Sequence, residues 1–218
     1  MGSITRSLAN NITTSGVILP AGITNASVSA VTSFANASGG TLTLLSTQTA
    51  SASATISFTT GINSTYDEYI FKYINCHPSV DGVELQFNMS TDSGSNYNVT
   101  KTTTSFRSGH DEADAVTQFA YVDYDLAQGT GFQTLLEGVG NDNDQSISGT
   151  LQIFNPSSTT YVKHFISNCN GYRHNDISAN WFVAGYGNTT SAVNAIQFKM
   201  ASGNIDDGIF KLYGVKKS

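Results

Sequence analysis

A chain of 218 residues with 39% hydrophobic and 11% aromatic content can bury a proper core, and all-β chains of this length commonly form one main domain. The net charge of −6, with no run of Lys and Arg, argues against nucleic-acid binding, because a surface that tracks phosphates needs clustered cations. Charged residues make up only 12%, about half the usual share, and Ser, Thr, Asn and Gly take their place, so neutral hydroxyls and amides carry the hydration.

Residues 1–40 differ from everything after them. They hold one short apolar run, Val17-Ile18-Leu19, among small polar residues and isolated Ile, Val and Ala. So little apolar mass does not offset the entropy of ordering a backbone, so the segment reads either as a disordered leader or, as its isolated apolar residues favour, as an extended arm ordered by neighbours. Its contact energy is expected at Ile12, Val17, Ile18 and Leu19. Gly39-Gly40 marks a flexible joint to a body spanning 41–218. The first residues lack the basic and apolar blocks of a secretory leader, and no window approaches the roughly 18 apolar residues of a membrane span.

Beyond the joint, strands are predicted at 41–45, 54–59, 66–76, 82–89, 97–104, 115–121, 131–137, 146–154, 160–167, 179–186, 193–200 and 209–215, separated by turns rich in Gly, Asn, Asp and Ser. In Val83-Glu84-Leu85-Gln86-Phe87-Asn88-Met89 every second residue is apolar, which makes one face greasy and the other wet. Tyr69, Phe71 and Tyr73 on one parity, with Ile70 and Ile74 on the other, predict a central strand covered on both faces. Residues 75–82, with Pro78 and Asp81-Gly82, predict a reversal. Helical spacing is absent almost everywhere, and a short helical turn is predicted only within 109–126. Val83, Leu85, Phe87, Met89, Leu151, Ile153, Ile196 and Phe198 are the predicted inward residues. Two sheets, each wet outside, account for these alternations: an all-β, antiparallel, two-sheet β-sandwich, jelly-roll-like in type.

Several polar clusters invite chemistry. His110-Asp111-Glu112 with Asp114 supplies the ingredients of an acid/base pair, but side by side in one loop it reads as a solvated connection. Residues 140–145, Gly-Asn-Asp-Asn-Asp-Gln, open like a calcium loop without its glycine and distal glutamate, and read as a hairpin tip. Cys76 and Cys169, each near a histidine, His77 and His174, have the wrong spacing for a compact zinc module and read as free thiols. No nucleophile elbow, phosphate-binding loop or dinucleotide fingerprint occurs, and the sequence points to no catalytic residue, metal or cofactor. Tyr97, Tyr172, Trp181 and Tyr186 are candidates for a sugar-stacking platform, against the plainer reading of core aromatics.

The phrases SITRSLANNITTSGVI, TLLSTQTASASATISFTTGINSTYDEYIFKYINCHP and ASGNIDDGIFKLYGV resemble small structural proteins of tailed phages, particularly those of marine and cyanobacterial hosts. The likeness covers both ends and the first third. It implies a tail-fibre or head-appendage component, a homo-oligomer with trimer favoured, assembled in the host cytoplasm and carried on the virion. Its partners would be other capsid or tail proteins, with a host surface glycan as a further partner and neither nucleic acid nor membrane. Three function classes stand open: a non-enzymatic structural component, a receptor- or glycan-binding tip, and a polysaccharide-acting enzyme. The last predicts convergent carboxylates roughly 5–9.5 Å apart.

Overall fold

The computed structural model describes residues 41–216, together with 12–13 and 16–17. The chain divides into two units, Met1–Gly39 and Gly40–Ser218. In the first, β1 (Ile12–Thr13) pairs antiparallel with β2 (Gly16–Val17), Ile12 opposite Val17. The extended arm expected over residues 1–40 lies, apart from these four residues, outside the described residues. Ile18, Leu19 and the side chains of Ile12 and Val17 lie outside the described residues.

The second unit is built from twelve strands: β3 (Leu42–Ser53), β4 (Ile56–Phe58), β5 (Glu68–Pro78), β6 (Val83–Ser90), β7 (Lys101–Asp111), β8 (Thr117–Tyr121), β9 (Gln133–Val139), β10 (Ile147–Phe154), β11 (Lys163–Tyr172), β12 (Ile177–Gly187), β13 (Ala195–Met200) and β14 (Ile205–Val215). Among the described residues there is no helix. One sheet runs β3-β14-β5-β10-β11-β12-β7-β8, the other β4-β13-β6-β9, and every pairing is antiparallel. With β7–β8 and β11–β12 set aside, the wide sheet keeps the first, eighth, third and sixth of the remaining strands, and the narrow sheet the second, seventh, fourth and fifth. The four extra strands come from two separate insertions that meet along the β12–β7 ladder, Ile177 opposite Asp111 through Gly187 opposite Lys101.

The core lies between the sheets and follows the alternation. All eight predicted inward residues are at most 6% exposed. Phe198 on β13 is the hub, with ring centroids of Phe210 at 5.2 Å, Phe71 at 5.7 Å, Tyr73 at 6.1 Å and Phe58 and Phe87 at 6.5 Å. Edge-on and tilted ring pairs of this kind add to the area they bury. Two lysines sit in this interior with hydrogen-bond partners. Lys101 Nζ donates to Asn88 Oδ1 and, at 2.7 Å, to the Val99 carbonyl, while Lys163 Nζ donates to the Tyr161 carbonyl at 2.6 Å. Burial pulls the Lys101 ammonium down to about 8.

Three local expectations are corrected. The segment 109–126 forms no helical turn: β7 runs to Asp111, whose Oδ1 accepts from Ala115 N at 2.9 Å and Val116 N at 2.8 Å, and the chain turns directly into β8. An aspartate that satisfies two backbone donors stabilises a tight turn over a helix start. The reversal predicted over 75–82 is confined to 79–82, because β5 continues through Pro78 before turning at Gly82, φ +70°. Pro78 ends its strand, where its missing N–H costs least. Finally, β5 is central in its sheet but covered on one face only: Tyr69, Phe71 and Tyr73 are buried, whereas Ile74 is 36% exposed.

Candidate functional site

The outward side chains of β10, β11, β12 and β7 are the even-numbered ones, since period-2 alternation sends the odd ones into the core. None of these outward residues is Asp, Glu, Lys or Arg. Cross-strand register arranges those toward the β8 edge in three rows. The first is Asn168–Phe182–Phe106–Tyr121, the second Asn170–Asn180–Ser108–Phe119, the third Tyr172–Ser178–His110–Thr117.

The first row is aromatic. Phe106 and Phe182 stack with centroids 4.9 Å apart at 12°, and Phe119 from the second row leans on Phe106 at 5.9 Å. Phe119 is 80% exposed and Tyr121 59%. The second row is polar and forms a cup of about 220 Å³ lined by Ser108, Gly109, His110, Asn170, Ser178 and Asn180. Asn170 Nδ2 donates to Ser178 Oγ at 3.1 Å and to the Ala179 carbonyl at 3.2 Å. Asn180 Oδ1 is occluded and has no hydrogen-bond partner among the described residues. An unmet buried acceptor of this kind costs about 1–3 kcal/mol.

The third row opens into a hollow of about 510 Å³ bordered by His110, Asp111, Glu112, Tyr172 and Ser178. At its border Glu112 and Asp176 both reach the Tyr172 hydroxyl. Hydrogen bonds from the Val116 and Ala115 amides hold Asp111 below the usual carboxylate range, and Asp114 Oδ1 sits 3.1 Å from His110 Nε2 with both side chains in solvent. Tyr172 Oη donates to Asp176 Oδ1 at 3.2 Å, and partial burial followed by the Glu112 and Asp176 carboxylates pushes it up to about 12, so it stays a neutral phenol. A third depression, about 500 Å³, lies where Ala184 and Gly185 leave a dip between Phe154, Ile166, His164 and Tyr186.

Of the four aromatics singled out in the sequence, the structure brings no set together as a platform. Trp181 points into the core, fully buried, with Tyr124 edge-on at 5.6 Å and the Arg107 guanidinium 5.7 Å from its ring. Tyr97 lies between β6 and β7 with an occluded hydroxyl that has no partner among the described residues. Tyr186 pairs with His164 beside the third depression, and only Tyr172 borders the polar cup's neighbour. The residues missed were Phe106, Phe119, Phe182, Asn170 and Asn180. Their signal was present as aromatic and amide residues on the polar parity of β7, β11 and β12.

The four residues of the arithmetic zinc set are also kept apart. Cys76 faces the core while His77, the next residue along the strand, turns outward to the Asp142 carbonyl at 3.1 Å. His174 Nδ1 lies 3.2 Å from the Gly138 carbonyl. Among the described residues no group of three or more His, Cys, Asp or Glu is placed to hold a metal ion. Residues 140–145 are not the expected hairpin tip: they carry the chain from β9 in the narrow sheet to β10 in the wide one, with a turn in which Gln145 N donates to the Asp142 carbonyl at 2.9 Å.

Compared with known proteins, the chain matches no family model, no curated protein and no solved structure.

Proposed function

We propose that this chain is a non-enzymatic structural component of a tailed-phage particle, a tail-fibre or head-appendage protein that docks through residues 1–40 and displays the sandwich, as a trimer. The observation that carries the reading is the strand order. The order of the eight strands left after removing the two insertions supports a jelly roll, a double sheet recurrent in viral shells and lectins. Fold alone leaves function open, so the surface must agree with it. A face four strands wide without a fixed charge interacts with little dependence on salt, which suits a part exposed outside a cell. The resemblance of both ends to phage structural proteins points the same way.

The test is incorporation. Particles purified from a producing host should contain the full chain at fixed copy number, and a chain lacking residues 1–40 should fold but be missing from them. Absence of the full chain from particles overturns the reading, and normal uptake of the truncated chain removes the arm as the anchor. Light scattering that finds a stable monomer removes the trimer. A second reading, a glycan-binding tip, is favoured by the amide cup beside exposed aromatic rings.

A further inference from the structure

We propose that the outward face of β11, β12, β7 and β8 binds the neutral sugar units of a glycan, with Phe119 as the stacking ring and Asn170, Asn180 and Ser108 reading hydroxyls. The site holds whether or not the chain belongs to a particle, because it stands on the geometry of this face.

Four observations converge on a sugar. A pyranose has one face of C–H bonds and a rim of hydroxyls, so it needs an aromatic ring next to polar groups that both donate and accept. Register places Phe119, Ser108, Asn180 and Asn170 side by side in a single row, with the Phe106–Phe182 stack flanking them. Phe119 is the most exposed of the large hydrophobic side chains, at 80%, and its ring face is free to take C–H bonds against its negative π surface. Asn180 Oδ1 has no partner among the described residues, and the soft terminal torsion of an amide lets it swing into the cup to meet a hydroxyl.

Size and charge narrow the class. The cup of about 220 Å³ and the hollow of about 510 Å³ share His110 and Ser178, and together they reach the span of small-ligand sites, about 300–1,000 Å³. The outward rows carry no Lys or Arg to meet a carboxylate or sulfate, while Asp111, Glu112, Asp114 and Asp176 gather at one end of the face. An acidic sugar finds no cation on this face to offset its desolvation, which leaves neutral hexoses and N-acetylhexosamines. The site also lies wholly on the two insertions that meet at the β12–β7 ladder, outside the eight-strand core, so it can vary without disturbing the packing beneath.

The experiment presents the full chain to an array of neutral, sialylated and sulfated oligosaccharides, then titrates the best neutral oligosaccharide by calorimetry. Neutral glycans should be retained and acidic ones rejected. Phe119→Ala and Asn180→Ala should each weaken binding at least tenfold without lowering the unfolding temperature, since neither side chain supports the core and Asn180→Ala removes an unmet acceptor. His164→Ala, in the depression by Ala184, should bind like the wild type. Retention of acidic glycans alone, no retention of neutral ones, or undiminished binding by both variants overturns the proposal. So does a concentration-dependent dimer that Phe119→Ala dissolves, which would make this face a contact between copies.

Discussion

Alkaline pH should destabilise the body along a slope set by its two buried thiols. Cys76 on β5 and Cys169 on β11 are free, at 0% and 3% exposure, and burial pushes both thiols up, Cys169 to about 12. In the unfolded chain a cysteine ionises near pH 8.5, so between about pH 8.5 and 10 the unfolded state releases two protons that the folded state keeps. Stability then falls by about 1.4 kcal/mol per pH unit for each thiol, or about 4 kcal/mol for both across the window. Lys101 works against them. Its folded ammonium deprotonates at about 8, while the unfolded one holds its proton to about pH 10.4, so it restores about 1.4 kcal/mol per unit over the same range. The wild-type slope should therefore be about −1.4 kcal/mol per unit, a large effect on a typical stability of about 5–15 kcal/mol. Tyr73, also pushed up by burial, adds to the fall toward the top of the window, where unfolded tyrosine begins to ionise. The assay is urea unfolding under reductant at half-unit pH steps, followed by fluorescence of Trp181, the single tryptophan, which is fully buried. Cys76→Ala/Cys169→Ala should be less stable at pH 7 but should gain stability from pH 8.5 to 10 as Lys101 acts without the thiols, joined by Lys163, which burial also pulls down. Equal slopes for the two proteins would refute the argument that the folded thiols stay protonated.

Gly149→Ala should cost about 1–3 kcal/mol in the same denaturant assay, because an added Cβ would meet Cys169 Cβ and stand 2.6 Å from the Asn168 carbonyl oxygen on the neighbouring central strand. A Gly149→Ala midpoint within error of the wild type would show that β10 and β11 can separate there. Glu137→Gln should lower the unfolding temperature by several degrees, since Glu137 Oε2 accepts from Arg107 Nη1 and Arg173 Nη2, both at 2.7 Å, and a charge-assisted bond is worth about 1.5–3 kcal/mol. An unchanged melting temperature would mean that solvent replaces the carboxylate at no loss.

The all-β class was determined by the sequence itself. Alternation in 83–89, 146–154 and 196–200 assigns each residue a face, and a face once greasy can only be buried, so Leu85, Phe87, Ile153 and Phe198 were placed inward before any contact was known. Lack of helical spacing and turn residues at short intervals settled the rest of that reading. Strand ends were less legible: the ladder to β14 carries β5 past Cys76 to Pro78, a partner 127 positions later in Ile205 opposite Pro78.

Only the tertiary structure decided which strands are neighbours, because ladder hydrogen bonds join backbones and carry no side-chain code. The β12–β7 pairing, Asn180 opposite Ser108, joins two insertions far apart in sequence, and without it Asn170, Asn180, Ser108 and Phe119 have no common row. Trp181-Phe182 shows the limit from the other side. Both residues are apolar, so local pattern cannot tell which turns inward; the register does, sending Trp181 under Tyr124 and Phe182 out beside Phe106. A polarity pattern fixes faces within a strand, whereas a site on a sheet is made across strands.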